Sequence, residues 1–297
     1  MHSRLVLLVA LLQIACNQRS EEEHSPFIEG RITGTNTNKH LEETSGIAAS
    51  RRYPGYLWAH NDSGHQPRLF LLDSLGQTRS MFQVEGVTNR DWEDIAIGPG
   101  RDSTNYIYIG DIGDNLAVHD FKFIYCVKEP PLDYAGPLPV EARLIVRMSD
   151  QPRDTEALMA DPISRNLYLV TKREHEVWLY EIRDPFLTDT LTAFKMHKLD
   201  LRHVVAADIS TDGSEILIKS YHAVYYWKRS PGQSIPDALK ADPISLTYKP
   251  EPQGESIAWA LDGSGYYTLS ENAKGERGRL FFYKRKKVSN ENDAKQD

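Results

Sequence analysis

The chain has 297 residues, 40% of them hydrophobic and 10% aromatic, enough for one large all-β domain or two smaller ones. Its formal net charge of −7 offers no broad cationic surface for a phosphate backbone, which argues against nucleic acid polymers as partners. Beyond the first few residues no apolar run is long enough to span a bilayer.

Residues 1–15 begin with a basic residue at Arg4, continue with the apolar run LVLLVALL, and end in QIA before Cys16. This pattern is that of a secretory signal too short to cross a membrane. It resembles a bacterial lipoprotein signal, which implies that Cys16 is the lipidated first residue of the mature chain. Gln13 stands where that signal usually has Leu, so cleavage nearby without lipidation is the other route. Residues 16–26, with the acidic run NQRSEEEHS, read as a tether, residues 27–285 as a single domain, and residues 286–297 as a charged tail. The expected location is extracytoplasmic and membrane-anchored, in the periplasm or at the cell surface.

From residue 27 onward the chain repeats. FIEGRITG is a short strand candidate. Five copies of one pattern then begin with ETSGIAASRR at Glu43, DWEDIAIGPG at Asp91, DTEALMADP at Asp154, AADISTDG at Ala206 and GESIAWALDG at Gly254. Each copy leads into a second apolar run: YLWAHNDSG, YIYIGDIGDN, LYLVTKRE, ILIKSYH and YYTLSEN. Two further strand candidates follow in four of the copies, RLFLLD and SMFQVEG being the first such pair. The fifth has only RLFFYKRK before the chain runs out. With Ser45, Glu93, Glu156, Ala207 and Glu255 as matched positions, the steps are 48, 63, 51 and 48 residues. A period near 50 with β content predicts a five-bladed β-propeller, its last blade completed by the N-terminal strand. A six-bladed alternative would need a blade hidden in the longest step, whose extra residues KEPPLDYAGPLPVE form a Pro-rich loop. Cys126, inside the apolar run FIYCV, reads as a small core residue.

In such a blade the first strand lines the central axis, and the start of the first strand meets the end of the second. The matched positions therefore converge on one mouth, with Glu43 one alternation before Ser45. Several glutamates on one axis cannot all remain ionised without a countercharge. A cation answers this, and a donor set of carboxylates and a hydroxyl favours Ca²⁺, with Mg²⁺ second. Glu43, Ser45, Glu93, Glu156 and Glu255 are thus the candidate metal ligands. The alternative is a purely structural network in which these acids cap backbone amides or pair with Lys172 and Arg173.

The second strands end at the same mouth and offer His60, Asn61 and Asp62, then Asp111, Asp114 and Asn115. The later copies offer Lys172 and Arg173, Lys219 and Tyr221, and Glu271. A metal beside these cations suits an anionic ligand, with Asp62 or Asp114 as candidate base and Lys172 as the third candidate catalytic residue. The remaining residues of the set are candidate ligand contacts. HNDSG and GDIGDN are also good turn sequences in their own right.

The ordered set ETSGIA, HNDSG, DWEDIA, YIGDIGDN, TEALMADP, LYLVTK, ADISTDG and GESIA resembles a group of uncharacterised bacterial secreted or lipoprotein β-propellers. More distantly it is similar to the calcium-activated nucleotidases (apyrases), five-bladed propellers with an axial Ca²⁺ held by Ser or Glu from the inner strands. That resemblance implies metal-binding roles for Ser45, Glu93, Glu156 and Glu255, and places Asp62 near a catalytic acid position. Ala207 departs from the family's pattern, and no counterpart of the nucleotide-base contacts is present. Two functions follow as expectations. One is a calcium-dependent hydrolase of a phosphorylated or otherwise anionic small molecule. The other is a non-catalytic ligand-binding or scaffold propeller with a structural ion, acting as a monomer beside the membrane or an envelope protein.

Overall fold

The computed structural model describes residues 25–102, 104–173, 177–188, 190–273 and 275–287. The expected signal segment, Cys16, nearly all of the acidic tether and most of the charged tail lie outside them. The described chain is all-β apart from one helical turn, Ile235–Ala238, capped by the Ser234 hydroxyl.

After β1 (Arg31–Thr35), strands follow one another as antiparallel meanders of four. The first unit is β2 (Thr44–Ala49), β3 (Leu57–Asn61), β4 (Arg68–Leu72) and β5 (Thr78–Gln83). The second is β6 (Trp92–Pro99), β7 (Asn105–Asp111), β8 (Lys122–Lys128) and β9 (Ala142–Met148). The third is β10 (Thr155–Ala160), β11 (Leu167–Thr171), β12 (Val177–Ile182) and β13 (Thr190–Leu199). The fourth is β14 (Val204–Ile209), β15 (Glu215–Ser220), β16 (Val224–Lys228) and β17 (Ile244–Leu246). The last unit holds β18 (Ser256–Trp259), β19 (Gly265–Leu269) and β20 (Arg279–Lys284), and β1 pairs with β20 as its fourth strand. The outer strands β9 and β13 pair in parallel and fuse the second and third units into one eight-stranded sheet. Between β8 and β9 the Pro-rich segment carries only an isolated bridge from Leu138 to Val84.

The first strands β2, β10 and β18 are buried from end to end, and β6 and β14 at all but one position each. Such strands are covered on both faces and need continuous apolar or small residues rather than alternation. They pack in cyclic order, β2 on β6, β6 on β10, β10 on β14, β14 on β18, and β18 back on β2. The described residues form five buried apolar clusters, each drawn from two neighbouring units. Phe27 is one seal of this arrangement, its ring set against Tyr226, Trp259 and Tyr266 at centroid distances of 5.8, 5.8 and 5.1 Å.

Asp94 binds three of the first strands together. Its carboxylate accepts the amide of Ile95 on its own strand at 2.9 Å, Leu158 on β10 at 2.9 Å and Ala207 on β14 at 3.2 Å. Burial, opposed by these three amides, holds its pKa well above the usual carboxylate range.

The register corrects one alignment. The ladders of β2, β6, β10 and β14 each carry a bulge at their start, falling on Ser45, Glu93, Glu156 and Val205. Gly46, Asp94, Ala157, Ala206 and Ser256 then face His60, Gly110, Val170, Lys219 and Leu269 respectively. The fourth matched position is therefore Val205, and Ala207 lies two residues further in. Motif spelling favoured AADI against WEDI, but the bulge residue sets the equivalence. The fourth unit brings an apolar side chain to the position where three others bring Glu.

Candidate functional site: an acidic mouth

One hydrogen bond recurs at the same end of four units and builds the site. The backbone N–H after the second strand returns to the carbonyl two residues before the bulge position. The pairs are Asp62 to Glu43 at 2.8 Å, Ile112 to Asp91 at 3.1 Å, Lys172 to Asp154 at 3.2 Å and Glu271 to Gln253 at 3.1 Å. Each closure brings together the position two before the bulge, the bulge position itself (Glu255, just ahead of β18, in the last unit) and a residue just past the second strand. A bulge re-aims its side chain out of the normal alternation.

The acids so gathered form three overlapping triads: Asp62 with Asp91 and Glu93, Asp62 with Glu255 and Glu271, and Glu93 with Asp154 and Glu156. Within each, one oxygen per residue lies within 4.8 Å of the others. Glu93, Asp154, Glu156 and Glu255 are buried, while Asp62, Asp91 and Glu271 are half-buried.

The cations are unevenly placed. Lys172 Nζ lies 2.8 Å from Glu156 Oε2, and Arg173 pairs with Asp154 and donates to the side-chain oxygen of Asn115. Burial opposes the charge of Lys172, but Glu156 and Glu255 outweigh it and keep the amine protonated far into the alkaline range. Its ammonium sits 5.1 Å above the ring of Tyr221, whose hydroxyl donates to Glu255. The Asp154–Glu156 side is thus neutralised. Among the described residues no cation forms an ion pair with Asp62 or Glu271, and Asp62, Asp91, Glu93 and Glu271 resist ionisation. Burial, with Glu255, Asp91 and Glu43 nearby, pushes Asp62 up to about 6 against the pull of the Ser63 amide. Glu271 is raised further by burial and by Glu255 beside it, and Glu93 is raised by burial and by Glu156.

Gly113 gives this side its room. A Cβ there would overlap Asp91 Oδ2 and Glu93 Oε1, so only glycine leaves the two carboxylates free to converge. The donors are all oxygens from carboxylates, the set that hard divalent cations prefer. Ca²⁺ fits this chemistry, with Mg²⁺ second because it demands stricter octahedral geometry.

The other candidates named from the sequence take different places. Ser45 Oγ donates to the Glu93 carbonyl at 2.6 Å and ties β2 to β6. Glu43 stands at the exposed rim, 3.0 Å from His65. Asp114 is not a free base: its two oxygens accept the amides of Val118 at 3.0 Å and His119 at 2.9 Å. Asp111 accepts the Asp91 amide at 3.0 Å and the Tyr125 hydroxyl at 3.1 Å. Asn61 clips its own corner through the Glu42 and Glu43 amides. His60 is fully buried, edge-on to Trp92, and burial lowers it to about 4, so it is neutral at pH 7. Lys219 does not open on the mouth; it is fully buried beneath it.

Asp91 and Asp154 were absent from the ligand set read from the sequence. Their signal was the D-x-E spacing of DWE and DTE, which puts both acids on one face of an extended strand. Lys122 was also missed. Fully buried, it donates to the Ile112 carbonyl at 2.5 Å, and burial lowers its pKa to about 8 despite the opposing pull of Asp114, Asp154 and Asp91. No protein-family model matches the chain, and no curated protein matches it. The functional reading therefore rests on this geometry.

Proposed function

We propose that the chain is a five-bladed β-propeller whose acidic mouth binds Ca²⁺ and, through the ion and Arg173, an anionic small molecule. The blade count is supported by the cyclic packing of the five first strands and by the five inter-unit clusters. The absence of a strand pair between β8 and β9 speaks against a sixth blade.

The observation that carries the cation reading is the sharing of Asp62 by two triads, apart from the ion pairs that Lys172 and Arg173 make with Glu156 and Asp154. Asp62, Asp91, Glu93, Asp154, Glu156, Glu255 and Glu271 make seven carboxylates, with Lys172 and Arg173 paired in the mouth and the ammoniums of Lys122 and Lys219 buried nearby. A divalent ion held by Asp62, Glu93, Glu255 and Glu271, with Asp91 beside them, offsets two of those charges. Arg173, half-exposed at the rim, then gives an incoming anion a second partner.

A hydrolase is the stronger form of this reading, and Asp62 favours it. Ionised beside the ion, one of its two carboxylate oxygens could accept a proton from a bound water. The ion would polarise the bound anion when present. The non-catalytic form assigns the ion to stiffening of the ring alone.

Both described chain ends lie opposite the mouth, where Phe27 bridges to Arg285 and the Lys286 amide donates to Pro26 at 2.8 Å. A lipid on Cys16 would accordingly leave the mouth facing away from the membrane, within the cell envelope.

Metal analysis of the purified domain, Ca²⁺ calorimetry and a phosphoester panel test the proposal together. Ca²⁺ uptake lost in Asp62→Asn and Glu93→Gln is the expected result, and turnover lost in the same variants marks the hydrolase. Uptake that survives Asp62→Asn would sink the cation reading.

A further inference from the structure

We infer that Lys219 is a positioning residue of the acidic mouth, setting Glu255 and Glu271 against Asp62 from beneath; this rests on the cation-binding reading of that mouth. Lys219 is the last residue but one of β15, the second strand of the fourth unit, which brings Val205 rather than an acid to the ring. Its ammonium is fully buried, donates to the Gly254 carbonyl, and lies 3.4 Å from the Ser220 carbonyl and 4.9 Å over the Tyr248 ring.

Gly254 immediately precedes Glu255. The residue before it, Gln253, is held in the left-handed region at φ 47° and accepts the Glu271 amide. One short turn, Gln253–Gly254, thus fixes the backbone of both acids in the second Asp62 triad, Glu255 and Glu271, and Lys219 grips it.

The countercharge is built in. Glu251 is buried close by, with one oxygen accepting the Thr268 hydroxyl and Oε2 without a hydrogen-bond partner. Gly254 allows the close approach, because a Cβ there would press on Glu251 and the Tyr248 hydroxyl. A buried ammonium survives only when paired and hydrogen-bonded, and these groups supply that. The site's geometry is in this way supported by a charge that no anionic ligand touches.

The sign of the effect distinguishes positioning from plain electrostatics. Removing a nearby positive charge would by itself tighten cation binding. Loss of position weakens it. Two variants of the full chain test this, Lys219→Met and Gly254→Ala, the second disturbing the turn without altering any charge. In cation-free protein, hydrogen exchange should rise about tenfold at residues 253–256 and 270–272 relative to the other units. Ca²⁺ affinity by calorimetry should fall about tenfold in both variants. Tighter Ca²⁺ binding in Lys219→Met, or unchanged exchange in both variants, overturns the inference. Faster exchange in a protein that takes up no Ca²⁺ even as wild type upholds the positioning role and removes the cation reading alone.

Discussion

The carboxylate of Asp94 lies 3.2 Å from the amide nitrogen of Ala207, 113 positions away along the chain, and accepts its hydrogen. The same oxygen accepts the Leu158 amide, so one short side chain joins the first strands of three units at the axis. Replacing it by Ala leaves three buried amides without an acceptor. We expect Asp94→Ala to destabilise the fold by roughly 3 kcal/mol, given about 1–3 kcal/mol for each buried group left unpaired and partial relaxation around it. Denaturant unfolding reads this directly, and a loss below about 1 kcal/mol would show that the clasp is dispensable.

Phe27 tests how the N-terminal segment is held. Its ring fills a gap among Tyr226, Trp259 and Tyr266 of the fourth and last units. Phe27→Ala should cost about 3–5 kcal/mol through lost burial and the cavity left behind. Limited proteolysis should then cut β1 before any other strand.

At the mouth, Asp62 and Gly113 contribute in different ways. Asp62→Asn removes a charge shared by two triads, and Ca²⁺ affinity should drop at least about a hundredfold, roughly 3 kcal/mol. Gly113→Ala keeps every carboxylate but pushes Asp91 and Glu93 apart, so a smaller loss, about tenfold, is expected. Calorimetric titration of both variants separates charge from room.

Arg173 is a test of the anion partner. Its side chain is half-exposed and pairs with Asp154 at the neutralised edge of the site. Arg173→Ala should leave Ca²⁺ affinity unchanged or slightly tighter. It should also reduce retention of a phosphorylated ligand by about tenfold, which equilibrium dialysis with and without Ca²⁺ will measure.

The acids of the mouth also predict a pH profile. Asp62 is raised to about 6 and Glu271 to about 9, so the folded cation-free protein holds more protons than the unfolded chain across that range. Stability then falls as pH rises, beginning near the unfolded carboxylate values and continuing through about 9. The melting temperature without cation should be higher at pH 5 than at pH 8, and millimolar Ca²⁺ should restore it at pH 8. A cation-free protein that is most stable at pH 8 would contradict the charge excess.

The repeat was legible because each unit must rebuild the same core. First strands covered on both faces need apolar or small residues along most of their length, and that requirement repeats TSGIAA, WEDIAIGP, TEALMA, VVAADI and SIAW at steps of about 50 residues. The pairing of β1 with β20 was legible for a related reason: one strand was missing at one end of the chain and one was spare at the other. The all-oxygen character of the site was equally present in Glu93, Glu156 and Glu255.

Only the tertiary structure decided the register of the fourth unit, since a bulge shifts equivalence by an amount that residue identity does not encode. It also decided which acids meet. Asp91 and Asp154 join the mouth because the corner amides return to their carbonyls, whereas Asp114 folds back onto its own loop and Glu43 stays at the rim. Lys219 looks in the sequence like one more cation at a strand end, yet the Gly254 carbonyl in a turn two strands away draws it under the site. Sequence carries composition and periodicity. The direction of a side chain depends on backbone hydrogen bonds made with residues far along the chain.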